Sequence, residues 1–192
     1  GVPVVRIESA RKKGGDIALD DIFVDSHQAA RGVVNSLLGR GHRRSAMLAG
    51  TGGPQRVRVE GYREAMDAAA AETSVTITDA FSEEAGFTAA QSILDSGYGP
   101  TAIFAANDLM AIGVMRALRG RNLRIPEDVA VVGFDDISPA SLVAPPLTTV
   151  SQFQARMGEL AAEALLQRLR GQRPPHGTTE EVRFQLIERA SA

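Results

Sequence analysis

The sequence predicts a doubly wound α/β fold built on parallel strands. Two observations carry that prediction. Short apolar or β-branched runs alternate with amphipathic helical segments along the whole chain. The stretch Thr101 to Asp136, TAIFAANDLMAIGVMRALRGRNLRIPEDVAVVGFDD, sets a helix of about three turns between two apolar runs, which is a βαβ unit with parallel strands.

Val2 to Ile7 reads as a mostly buried strand ending on Glu8, and Ser9 to Asp20 as a polar, Gly-bearing loop. Ile22-Phe23-Val24 is a short extended run leading into Asp25-Ser26, residues suited to capping a helix. Ala29, Ala30, Val33, Val34, Leu37 and Leu38 recur at helical spacing, and Gly39 and Gly41 end that helix. Ser45 to Ala49 is a strand, and Gly50-Thr51-Gly52-Gly53-Pro54 a turn. Val57, Tyr62, Ala65, Met66 and Ala69 mark the face of the next helix. Val75 to Ala80 alternates as a strand ending at Phe81. Ser82 then caps a helix with Ala85, Ala89, Ala90, Ile93 and Leu94 inward, broken by Gly97 and Gly99. After the βαβ unit come a loop through Pro145-Pro146, an extended Thr148 to Ser151, and a long helix from Phe153 to Leu169. Gly171 and Pro174-Pro175 stop that helix, and Val182 to Ile187 is a final strand.

The 192 residues suffice for one large domain or two small lobes. Hydrophobic residues at 44% and charged residues at 23% fall in the ordinary globular range. A net charge of −2 and a pI near 6.0 leave no electrostatic footprint for nucleic acid. The absence of cysteine excludes a disulfide framework, thiolate catalysis and Cys-ligated zinc. No apolar run reaches membrane-spanning length and no export signal opens the chain, so a cytoplasmic setting is expected.

In a parallel sheet, ligands gather at the carboxyl ends of the strands. There the sequence places Glu8, the Gly50–Arg56 turn, Phe81, Asn107-Asp108 and Asp135-Asp136. Carboxylates accept hydroxyl protons, an amide donates and accepts, a guanidinium donates a fork of bonds, and an aromatic face supplies an apolar plane. Together they describe a site for a polyol or nucleoside, with no base–nucleophile pair for chemistry. Each member also has a plainer role. Asn107 or Asp108 can cap the following helix, Asp135-Asp136 can bond their own loop, Phe81 can be core, and one of Arg56 and Arg58 can be a solvated charge.

Other motifs fail. Gln55 stands where a dinucleotide fingerprint needs its third glycine, and His27, His42 and His176 lack metal-ligand spacing. No catalytic residue, metal or cofactor is expected. Between Leu109 and Leu118 only Arg116 is charged, and apolar residues point all round. A helix covering one sheet face needs one stripe, so a second burial is implied, by another part of this chain or by a second copy. The homodimer reading is preferred, with Leu109, Met110 and Val114 at the interface.

The chain resembles the effector-binding core of the LacI/GalR family of bacterial transcription regulators. The likeness is carried by Leu37-Leu38-Gly39-Arg40-Gly41-His42-Arg43, Arg58-Val59-Glu60-Gly61-Tyr62, and Ala106-Asn107-Asp108 with Met110-Ala111-Ile112-Gly113. Ile125-Pro126-Glu127-Asp128-Val129 running into Val132-Gly133-Phe134-Asp135-Asp136, and Pro145-Pro146-Leu147-Thr148-Thr149-Val150, complete it. The resemblance implies a two-lobed, periplasmic-binding-protein-like fold with doubly wound parallel sheets, the first lobe incomplete. Residues 1–23 and 149–174 would form part of the first lobe, and 24–148 and 175–192 the second. The chain would cross between lobes near Phe23–Val24, Thr148–Val150 and Pro174–Gly177. Family positions that touch effector fall on Arg56, Phe81, Asn107 and Asp135, with Glu8 where an aspartate is often found. The helix from Leu109 resembles one used in dimerisation.

The implied function is the sensory part of a dimeric transcription repressor, not an enzyme. A small effector, a sugar or related polyol, would set the angle between lobes and so change operator DNA binding. That binding would run through a DNA-binding head lying upstream of this chain. The alternative is a solute-binding protein of a sugar transporter, which would be monomeric and exported.

Overall fold

The computed structural model describes residues 2–8 and 19–192. The predicted loop from Ser9 falls almost wholly outside these residues. Two parallel sheets form. The larger has the order β4-β3-β5-β6, built from β3 (Arg44–Gly50), β4 (Glu72–Thr78), β5 (Ala102–Ala105) and β6 (Ala130–Val132). The smaller joins β1 (Val5–Glu8), β2 (Asp20–Phe23) and β8 (Thr179–Glu181) in the order β1-β2-β8.

The large sheet is wound on both faces, and its strands show why. Met47, Ala49 and Phe104 point to one side, Ala46, Leu48 and Ile103 to the other. Successive side chains of a strand alternate faces, so a strand apolar throughout must be covered twice. Helices α1 (Ser26–Gly39) and α2 (Gly53–Ala68) cover the first face with Val33, Leu37, Tyr62 and Met66. Helices α3 (Glu83–Asp95) and α4 (Asp108–Gly120) cover the second with Ala90, Ile93, Val114 and Leu118. Each large apolar side chain so buried contributes roughly 1.5–3 kcal/mol.

Local signals start the helices. The Asp25 carboxylate accepts the Gln28 N–H, the Ser82 hydroxyl the Ala85 N–H, and the Asn107 amide oxygen the Met110 N–H. The α2 face is rotated from the expected one: Gln55, Arg58 and Val59 are buried, while Val57 and Ala69 are not.

The all-round apolar character of α4 has an internal cause. Met110 and Val114 have no exposure, and α3 of the same chain supplies their cover. A Cβ on Gly113 would collide with the Glu83 carbonyl and come 2.6 Å from the Phe87 nitrogen; one on Gly86 would strike the backbone of Met110. The two helices thus meet backbone to backbone through glycine. Met110 and Val114 cannot be interface residues for a second copy, which corrects the sequence expectation. Leu109, 46% exposed, remains on the surface.

Strand β7 (Thr149–Ser151) pairs antiparallel with β9 (Gln185–Ile187), and bridges from Thr148 to Val132 and from Ser151 to Asp135 attach it beside β6. The expected strand from Val182 to Ile187 is shorter in the structure, only its last three residues forming β9. A separate strand, β8, lies just upstream of Val182 and pairs with β2, so residues 179–181 belong to the small sheet. Helix α5 (Gln154–Leu169) packs on β1 and β2, with Met157 joining Ile22, Val24 and Val182. Arg168 clamps the buried Asp20 through Nε at 2.5 Å and Nη2 at 2.8 Å, and Thr178 donates to it from backbone and hydroxyl.

Candidate functional site

The carboxyl ends of β3, β5 and β6 bring together most of the expected residues, with one substitution. Arg56 is not among them: it lies 77% exposed on α2, 3.8 Å from Glu60. Arg58 is there instead. Two residues along a helix turn the side chain by about 200°, so only one of the pair can face the sheet. Arg58 is 5% exposed, donates through Nη1 to the Ala106 carbonyl, and lies over the Phe134 ring with its guanidinium carbon 3.7 Å from the centroid. Its Nη2 stands 3.5 Å from Asp135 Oδ1.

Asp135 sits on the turn after β6 with φ 113°, and Asp136 follows with φ 55°. Such left-handed backbone in non-glycine residues costs on the order of 1–3 kcal/mol each and needs support. The support is local: the Asp135 N–H donates to Val150 O at 2.9 Å, and Asp136 Oδ1 accepts from Arg189 at 2.7 Å. Asp135 Oδ1 also accepts from Gln152 Nε2 at 2.6 Å, while Oδ2 has no partner among the described residues.

Asn107 is 8% exposed and works partly for the fold. Its oxygen caps α4, and its nitrogen donates to the Phe81 carbonyl at 3.3 Å. Phe81 is 42% exposed, and its ring lies on the turn after β3. Gly50 leaves that ring its place, since a Cβ there would overlap it, and a Cβ on Gly52 would stand 3.1 Å away. Phe81 is tied to Asn107, Arg58 to the carbonyl of the neighbouring Ala106 and to Asp135, and Asp135 to Gln152. Glu8 ends β1, and its side chain lies outside the described residues.

The electrostatics show what this group lacks. Burial pulls the Arg58 guanidinium down to about 10 against the attraction of Asp135 and Asp108, and burial raises Asp135 against Arg58 and Gln152. Both partners shift toward their neutral forms, so their attraction does not repay their loss of water. Arg58 stays cationic at neutral pH, and its buried Nε has no hydrogen-bond partner. An orphaned donor of this kind costs roughly 1–3 kcal/mol. The chemistry on offer is recognition of hydroxyls by an uncommitted carboxylate oxygen and a guanidinium, beside an aromatic face.

The family resemblance put the arginine at Arg56, where the structure brings Arg58 to Asp135 instead, and the sequence reading missed Gln152. The apolar phase of α2 held the signal for the first: Val59 and Tyr62 share a face, and Arg58 adjoins it. Nothing local marked Gln152. Among the described residues no group of three or more His, Asp or Glu side chains could hold a metal ion. No helix among them is long and apolar enough to cross a membrane.

Residues 34–192 match the family model described as periplasmic binding protein-like domain. The chain is 36% identical to the ribose operon repressor of Escherichia coli (strain K12), over 100% of this chain and 58% of that protein. It therefore spans little more than half the length of this relative. The transcriptional regulator CelR–cellobiose complex superposes with a TM-score of 0.87 at 32% identity, covering 97% of this chain and 58% of that one. A dimeric Lac repressor superposes at 0.82 with 29% identity, covering 91% and 67%.

Proposed function

The chain belongs to the periplasmic-binding-protein-like family, in the form of the effector-binding domain of LacI-type transcriptional regulators, and we propose that Arg58 and Asp135 hold a hydroxylated effector, a sugar, in it. The observation that carries this is the pair itself. The Arg58 guanidinium stands 3.5 Å from Asp135 Oδ1, which Gln152 already engages, while Asp135 Oδ2 and Arg58 Nε carry no hydrogen-bond partner among the described residues. A sugar carries vicinal hydroxyls that both donate and accept, and can satisfy the two at once. Phe81 offers the ring a stacking face, and Asn107 keeps one amide hydrogen and a lone pair for a further hydroxyl.

In the whole regulator, effector would bias the relative setting of two lobes, the small sheet with α5 and the large sheet with α1–α4. It can shift that equilibrium only by its differential affinity, typically ~1–3 kcal/mol. The lobe setting would control operator DNA binding in the cytoplasm. A thermal-shift screen over sugars, sugar phosphates and nucleosides tests the site, because ligand at a hundred times its Kd adds about 2.7 kcal/mol. A sugar that stabilises the wild type but not Asp135→Ala supports the site; equal stabilisation of both rejects it.

The regulator acts as a homodimer in this reading. Likeness to a dimeric Lac repressor supports it, as do exposed Leu109 at the head of α4 and exposed Ile77 on the open edge strand β4.

A further inference from the structure

Asp108 is a fully buried carboxylate that the effector contacts do not employ. Its Oδ2 accepts the Ile137 N–H at 2.9 Å and its Oδ1 the Thr149 hydroxyl at 2.5 Å. The Thr149 oxygen in turn accepts the Asp136 N–H at 3.4 Å. One carboxylate therefore ties the head of α4 to β7 and to the far end of the turn that carries Asp135. The fit is close: a Cβ at Gly133 would collide with Asp108 Oδ1 and come 3.0 Å from Leu147.

We propose that Asp108 is a positioning residue for the effector site: its carboxylate holds the Asp135–Asp136 turn in place, and taking up a proton loosens that turn and weakens effector binding. The effector half of this rests on the function proposed above. The charged groups around Asp108 are Asp135 and Asp136 from the turn, Arg58 from α2, and Arg189, which is paired with Asp136. Burial pushes Asp108 up to about 6, opposed by the bonds from Thr149 and Ile137 and helped by the two neighbouring aspartates. Its protonation thus falls near neutral pH, where an ordinary aspartate stays ionised. Bonds to an ionised acceptor are roughly twice as strong as neutral ones. A proton also makes one oxygen a donor, which reverses the Thr149 bond and weakens the hold on Ile137.

The Ile137 amide reports this directly by NMR, without effector. Its resonance is expected to titrate with a midpoint near pH 6 in the wild type and to stay flat in Asp108→Asn. Thr149→Val removes a bond that lowers the Asp108 pKa and should move the midpoint upward, a check open even if Asp108→Asn fails to fold. Affinity for D-ribose and cellobiose should fall about tenfold in the wild type between about pH 7.5 and about pH 5, and remain flat in Asp108→Asn. An Ile137 resonance indifferent to pH, or a wild-type affinity that does not change, overturns the proposal. A titrating Ile137 in a chain that binds neither sugar supports the hold on the turn and rejects the effector reading.

Discussion

Arg58 Nη2 stands 3.5 Å from Asp135 Oδ1, yet burial shifts both groups toward their neutral forms. The proposed effector site rests on that pair being left unsatisfied by its own members.

Arg58→Lys keeps the charge and removes the fork of donors, so sugar affinity should fall by about 1.5–3 kcal/mol, the worth of a hydrogen bond to a charged group. Arg56→Ala, at an exposed position, should leave affinity unchanged and stability within about 0.5 kcal/mol. Calorimetry on the two variants decides which arginine serves the site. Equal losses in both would remove Arg58 from it.

Met110→Glu places a carboxylate in the core between α3 and α4 and should unfold the chain or leave it soft to urea, whatever the oligomeric state. Ile77→Glu with Leu109→Glu changes exposed positions only. That double variant should keep its denaturation midpoint and lose the dimer by light scattering. A persistent dimer would place the interface elsewhere.

Gly113→Ala forces a methyl into the Glu83 backbone and should cost about 1–3 kcal/mol in urea denaturation. Gly158, inside α5 with nothing within 4 Å of an added Cβ, is the matched control. There alanine should stabilise by up to about 1 kcal/mol through helix propensity. Similar effects at both sites would mean that α3 and α4 do not meet through glycine.

Two buried aspartates should tilt the stability–pH curve in opposite directions. Burial raises Asp20, but the bonds from Arg168 and Thr178 outweigh it and hold the carboxyl well below the usual range. Its contribution is complete above about pH 4 and is lost as pH falls. Asp108, raised to about 6, binds its proton more tightly in the folded chain, so its ionisation withdraws stability as pH rises from about 4 through 6. Urea midpoints across pH should show the acid limb flattened in Asp20→Asn. An unchanged acid limb would mean that the clamp carries no pH-dependent stability.

Much of the site was legible because it is written locally. Asn107-Asp108 and Asp135-Asp136 follow apolar strands, and strand ends in a parallel sheet converge whatever the side chains. Capping by one of Asn107 and Asp108 was legible, but which member of each pair does what was not. Asn107 caps α4 and also reaches Phe81, while Asp108 turns inward to Thr149 and Ile137, contacts made by segments far along the chain.

The sequence by itself determined the alternation of strands and helices, the capping residues and the edge of the sheet that carries the candidate site, because periodicity and capping are properties of short stretches. Tertiary structure decided three things: that Arg58 and not Arg56 turns inward, that α3 covers the second face of α4, and that β8 pairs with β2. Each has a physical cause outside the local pattern. A side chain's direction depends on helix phase against the sheet, and apolar burial is non-directional and names no partner. Strand pairing runs through backbone groups that every residue shares.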